Sequence, residues 1–228
     1  MKHHSRGKSR SAVLWTGGKD SALALCEARR IGLGICELVT FVPERVDFKA
    51  HPLHLIRAQS ESLGIPHRNI RIRPPFARSY ATALRQLRKE GISTVVTGDI
   101  APVDRFPSWI VERARSAGIH VKRPLWGRSR SALLERMFRL RIRSVVTAVR
   151  CPPFTADWLG RYLDRGALED LKALATSRPL DLCGEQGEYH TMTLDGPGFR
   201  NVVSLGKSTT GRIGNLLYLR FSRSGRLL

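Results

Sequence analysis

Residues 11–21 read SAVLWTGGKDS, and the fold turns on how that stretch is parsed. Ser11–Trp15 is short and apolar, as a strand buried in a parallel sheet should be. Thr16–Ser21 follows at once, and its two glycines permit a tight turn that brings backbone N–H groups toward an anion. A helical pattern comes next. Ala22, Leu23, Leu25 and Cys26 share one face, Glu27, Arg29 and Arg30 the other, and Gly32 and Gly34 stop it. In this strand, glycine turn and helix, the helix N-terminus attracts phosphate. Lys19 brings a full positive charge, and Thr16 and Ser21 bring hydroxyls. Asp20 can orient Mg²⁺ or cap the helix. The stretch is not a G-x-x-x-x-G-K-[ST] loop. Gly7-Lys8-Ser9 and Gly206-Lys207-Ser208 both lack the upstream glycine that would make them one.

Working outward, strands and helices alternate. Strands are expected at 35–42, 67–72, 92–97, 119–121 and 142–149, with helices at 53–63, 79–89, 107–117 and 131–140. This spacing predicts a doubly wound α/β domain over 11–150 behind a basic, disordered tail at 1–10. Ligands of such sheets bind at the carboxyl ends of the strands. The turn at 16–21 lies at one such end and Gly98-Asp99 at another, so Gly98 is a nucleotide-contact candidate and Asp99 a candidate for holding Mg²⁺ or substrate. Asp99 reads equally well as a helix cap. The last 78 residues change character, with a helix near 167–175, strand-like segments at 202–205 and 216–221, and a frayed end at 222–228. They predict a small C-terminal α+β substrate domain over 151–228.

That part holds a dense polar run, Cys183-Gly-Glu-Gln-Gly-Glu-Tyr-His-Thr191. Glu185 and Glu188 form a pair able to bind a cation or accept protons from an attacking amine. His190 can shuttle a proton near neutral pH. Cys183 and His190 have too few neighbouring ligands for a metal site. The four cysteines are scattered, which disfavours a local zinc site and fits a reduced, cytoplasmic setting.

TGGKDS resembles the PP-loop, S-G-G-x-D-S, of the N-type ATP pyrophosphatases, with Thr16 in place of the usual serine. The run 183–191 followed by Asp195-Gly-Pro-Gly-Phe199 resembles the C-G-E-x-G-E-Y-H-T…D-G-P-x-F block of the diphthine–ammonia ligase family. Gly64-Ile65-Pro66, Gly98-Asp99-Ile100, Pro124-Leu125-Trp126 and Trp158-Leu159-Gly160-Arg161 agree in order, so the resemblance spans roughly 11–205. It implies an adenine nucleotide alpha hydrolase-like (HUP-type) fold and an AMP-forming, ATP-dependent ligase of diphthamide biosynthesis. Such an enzyme adenylylates a carboxylate, releases pyrophosphate and amidates with ammonia. The implied acceptor is diphthine on an elongation factor 2-like protein, or a small carboxylate where that factor is absent. No glutaminase domain fits the remaining length, so free ammonium is the implied nitrogen source. Thr16, Gly17, Gly18, Lys19, Asp20, Ser21 and Gly98 would bind ATP, and Asp20 and Asp99 would hold Mg²⁺. Lys19, Asp20, Asp99, Glu185, Glu188 and His190 would serve catalysis.

The charge is unusual: 39 Lys+Arg against 19 Asp+Glu, a net +20. Residues 1–150 hold 29 basic and 11 acidic residues, or +18, and 12 of the basic residues fall in 105–150. The excess admits a polyanionic partner such as RNA or the ribosome. A general preference for arginine explains it too, since only 8 of the 39 are lysine. A PP-loop enzyme modifying tRNA, and a non-catalytic ATP- or RNA-binding module, are the alternative readings. No apolar run is long enough to span a bilayer and no signal-type stretch follows the N-terminus, so no membrane role is expected.

Overall fold

The computed structural model describes residues 10–44, 49–102 and 109–221. The expected N-terminal tail, apart from Arg10, and the expected frayed end at 222–228 lie outside them. The first half alternates β1 (Arg10–Leu14), α1 (Lys19–Arg30), β2 (Gly34–Pro43), α2 (Leu53–Leu63), β3 (His67–Ile72), α3 (Phe76–Lys89), β4 (Ile92–Val96), α4 (Trp109–Ser116) and β5 (His120–Lys122). The strands form one parallel sheet in the order β3-β2-β1-β4-β5. Successive side chains of β1 point to opposite faces, and each face has its own apolar cover. Ala12 packs in a cluster with Leu84 and Leu87 of α3 and Ala114 of α4. Val13 packs in another with Leu23 and Leu25 of α1 and Ile56 of α2. This is the doubly wound arrangement expected from the sequence.

The second half contains α5 (Arg130–Arg139), β6 (Arg143–Arg150), a 3-10 turn (Ala156–Trp158), α6 (Arg165–Ser177), β7 (Tyr189–Asp195), β8 (Ser208–Ile213) and β9 (Leu216–Phe221). An antiparallel sheet runs β7-β6-β9-β8. The strand expected at 142–149 therefore does not close the parallel sheet. It is central in the other one, hydrogen-bonded to β7 and β9. Its six inner residues, Ser144–Val149, are all buried, which is why its sequence reads like a parallel strand. No strand forms at 202–205, where Val203 N–H donates to the Leu194 carbonyl from an irregular segment. The edge strand β8 went unread because STTGRI is polar and five of its six residues are exposed.

The two sheets meet behind the glycine turn. The buried amide of Gln59, on α2, donates to the carbonyls of Gly17 (2.9 Å) and Thr193 (2.6 Å). Its oxygen accepts from the Trp15 indole N–H at 2.9 Å. Thr193 N–H, on β7, donates to the same Gly17 carbonyl at 2.8 Å. A Gln59→Leu variant leaves three buried polar groups with lost bonds, each loss costing about 1–3 kcal/mol. Urea denaturation should show a drop of about 3 kcal/mol or more, much larger than for a surface Gln→Leu change.

Candidate functional site

In a sheet ordered β3-β2-β1-β4-β5 the connections reverse direction at β1, which opens a crevice between the carboxyl ends of β1 and β4. The turn 16–18 leaves β1 there and Thr97–Ile100 leaves β4. The two segments pack tightly. A Cβ on Gly98 would lie 2.8 Å from the Asp20 backbone carbon, and a Cβ on Gly17, whose φ is +78°, would collide with Gln59. Gly98 therefore shapes the crevice by letting the turn approach. Gly18 caps α1 without a side chain, and Lys19 N–H donates to the Thr191 hydroxyl at 3.1 Å.

Two chambers open along this crevice. One, of about 320 Å³, is lined by Trp15, Val39, Phe41, Tyr80, Asp99 and Ile110 among others. Phe41 and Tyr80 meet edge to face at 5.0 Å. The other, of about 360 Å³, is lined by Gly18, Lys19, His51, Glu185, Tyr189 and His190 among others. The chambers share Thr16, Asp20, Ser21 and Glu185, so one is largely apolar, the other polar, and the glycine turn is their common wall.

Charges are crowded at that wall. Lys19 Nζ is buried, donating to Asp20 Oδ2 at 2.6 Å and to the Cys183 carbonyl at 2.5 Å, with the Tyr189 ring at 5.4 Å. Burial alone would lower the ammonium's pKa, but Asp20 together with Tyr189 and Cys183 holds it raised. Burial raises Asp20 against the pull of Lys19. It raises Asp99 too, against the Thr97 hydroxyl and Arg123. Glu185 accepts from Ile100 N–H at 3.2 Å, tying the polar loop to the end of β4. Burial, with Asp20 and Asp99 nearby, raises its pKa. The rings of His51 and His190 meet edge to face at 5.4 Å. Burial and His190 push His51 down to about 3, and burial with Lys19 and Arg150 lowers His190. Both imidazoles are therefore neutral at pH 7. The Cys183 thiol, pushed up to about 12 by burial, is no nucleophile.

Models of two domains cover most of the chain: the diphthamide synthase N-terminal domain matches residues 9–121 and the C-terminal domain residues 129–213. The chain belongs to the diphthamide synthase family. A family relative, the diphthine–ammonia ligase of Bos taurus, is 25% identical over 245 aligned positions, covering 93% of this chain and 90% of that protein. Among solved structures, a predicted subunit of tRNA methyltransferase from Methanocaldococcus jannaschii is 17% identical, covers 82% of this chain and 98% of its own, and superposes with a TM-score of 0.47. The U34-tRNA thiolase NcsA from Methanococcus maripaludis, with its [4Fe-4S] cluster, is 11% identical, with 80% and 71% coverage and a TM-score of 0.39.

In this family member, Thr16, Lys19, Asp20, Ser21, Asp99, Glu185 and His190 of the sequence candidates all line the crevice. Glu188 does not. Its two carboxylate oxygens accept from Asp181 N–H and Gln186 N–H, each at 2.9 Å, so it shapes the loop that presents Glu185. Among the described residues no three His, Cys, Asp or Glu side chains form a group able to hold a metal. No helix among them is long and apolar enough to cross a membrane. Sequence reasoning missed His51, because a histidine between two apparent loop residues carries no pattern. It also missed Phe41, Tyr80 and Ile110, which read as ordinary core. Gln59 had a signal: a lone amide on the apolar face Leu55, Ile56, Leu63.

The histidines give this family member a pH signature. His51 has a folded pKa far below the unfolded value of about 6.5. Between those values the unfolded chain binds the extra proton, so stability falls as pH falls from about 6.5 toward 3. A His51→Gln variant should lose less melting temperature than the parent between pH 6.5 and 5, above the carboxylate range. Equal slopes in a pH series of melts would reject the assignment.

Proposed function

We propose that this chain is an ATP-dependent, AMP-forming ligase that amidates an acceptor carboxylate with ammonia, the acceptor being diphthine on an elongation factor 2-like protein. What carries the reading is the junction of an apolar and a polar chamber at the N-terminus of α1, whose cap residue Gly18 supplies no side-chain hydrogen bond. Membership of the diphthamide synthase family and the name of the Bos taurus relative support the same chemistry.

A carboxylate resists attack by a nucleophile because its own charge repels one. The nucleotide supplies activation: transfer of its AMP portion to the acceptor makes the carbonyl electrophilic, and pyrophosphate leaves. The apolar chamber, with Phe41, Tyr80, Val39 and Ile110, suits an adenine ring. The turn 16–18 and the N-terminus of α1 lie at its mouth and suit phosphate oxygens through backbone N–H groups. The Lys19 ammonium, buried against Asp20, adds fixed positive potential behind the turn. Asp20 and Asp99, both near Glu185, would hold Mg²⁺. They are too few to complete its shell, so phosphate oxygens and water would supply the rest.

The polar chamber then serves acceptor and amine. Tyr189, His51 and His190 line it beside the carboxylates of Asp20 and Glu185, and the two acids suit a quaternary ammonium. Ammonium must shed a proton before its lone pair can attack. Glu185, its pKa raised by burial, and neutral His190 are the bases at hand.

With acceptor and ammonium present, chromatography should find AMP and pyrophosphate; ADP as the main product would sink the scheme. Glu185→Gln should keep ATP binding and lower turnover on the order of a hundredfold. Glu188→Gln should instead act through stability, since its anion serves backbone N–H groups. Asp20→Ala should abolish AMP formation with the fold intact by circular dichroism.

A further inference from the structure

A second concavity lies away from the crevice. About 510 Å³ in volume, it sits where α5 gives way to β6 and is lined by Phe138, Arg141, Arg143, Tyr162, Asp164 and Arg165 among others. Arg143 pairs with Asp195 at one end of the β6–β7 ladder, and Val149 pairs with Tyr189 at the other. Six residues of strand put the two sites about 20 Å apart.

The basic run 128–143 divides sharply in the structure. Arg130 binds Asp181 at 2.8 Å, and Arg136 binds the buried Glu27 at 2.8 Å, so both are structural. Arg143 is half exposed, with its guanidinium over the Tyr162 ring at 5.0 Å and its nearest carboxylate, Asp195, at 4.0 Å. Tyr162 is 39% exposed. Arg165 lies beside the Phe138 ring at 5.6 Å and forks onto Glu135. Asp164, the acid on the wall, accepts from Ala167 N–H as the cap of α6.

Arg141 is the second, independent observation. Helices α1 to α4 all turn off through a glycine at positive φ: Gly32, Gly64, Gly91 and Gly118. Helix α5 makes the same turn through Arg141 at φ +55°, the one non-glycine at positive φ among the described residues. Its N–H bonds the Phe138 carbonyl and Ile142 N–H bonds that of Met137, as in a glycine-terminated helix. An arginine stands in a strained backbone position that this chain otherwise gives to glycine, and it stands on the wall of the cavity. Strain of this kind points to a task for the side chain.

We propose that this cavity binds a nucleotide unit of single-stranded RNA, with the base against Tyr162 and the phosphate on Arg141 and Arg143. Exposed aromatic faces flanked by arginine are what unstacked bases and their phosphates require. An acidic protein surface would need the charge but neither the ring nor the hollow. The +18 carried by residues 1–150 draws the strand in at long range. The site is separate from the ligase crevice and does not depend on that reading.

Fluorescence anisotropy of a labelled uridine 12-mer, at several salt concentrations, tests it on the full chain. Arg143→Glu and Tyr162→Ala should each weaken binding about tenfold or more, with ATP binding unchanged. Arg141→Gly should weaken RNA binding while the melting temperature rises by a few degrees, about what relief of such strain gives. A merely structural residue would not separate the two readouts. Lys89→Glu, on the exposed end of α3, controls for overall charge and should matter about twofold at most. The proposal fails if Lys89→Glu costs as much as Arg143→Glu, or if the three cavity variants bind RNA like the parent. It fails too if polyglutamate of equal length displaces the RNA equally well at the same salt, which would make the partner an acidic protein.

Discussion

The Gly17 carbonyl is where the molecule is tied together. It accepts from Gln59 of α2 and from Thr193 of β7 at once, so the turn that closes the parallel sheet is also the anchor of the antiparallel one. A turn built to present N–H groups outward must put its carbonyls somewhere, and buried carbonyls need partners. Gln59 answers that need with one side chain that has a donor for each sheet and an acceptor for Trp15. The crevice, the height of the polar loop and the meeting of the two chambers all follow from that seam.

The acidic wall depends on the same seam. Asp20, Asp99 and Glu185 come from three separate stretches and approach one another because Gly98 lets the Asp20 backbone come close and Ile100 N–H holds Glu185. Burial raises the pKa of all three, and at Glu185 the nearby Asp20 and Asp99 add to it. Lys19 offsets part of it from behind. The result is a site whose negative charges are held in place by packing and so favour cations: a metal, an ammonium, a methylated amine.

Much of this was legible beforehand. The buried strand Ser11–Trp15, the glycine turn and the β-branched run at 92–97 each follow from local chemistry, and they locate the crevice without further help. The polar run 183–191 announced a task because two glutamates, a tyrosine and a histidine rarely crowd an idle loop. What could not be read was anything decided by long-range pairing. Residues 144–149 are buried on both faces, so their sequence does not choose between the two sheets. Glu185 and Glu188 are the same residue type three apart, and only the turn geometry sends one to the crevice and the other to backbone N–H groups. His51 gains its place from contact with His190, distant in sequence.

The seam also sets an order of events during synthesis. The first half leaves the ribosome with its sheet, its apolar chamber and its glycine turn, but Gly17 and Gln59 then lack the partner that residue 193 supplies. More than 170 residues separate the turn from that partner, and contacts so distant form late. Until they form, the polar wall that carries Glu185 and His190 is missing. A half-made chain can therefore present the apolar chamber but not the polar wall beside it, and any ligand held there in that state would help the sheet to persist.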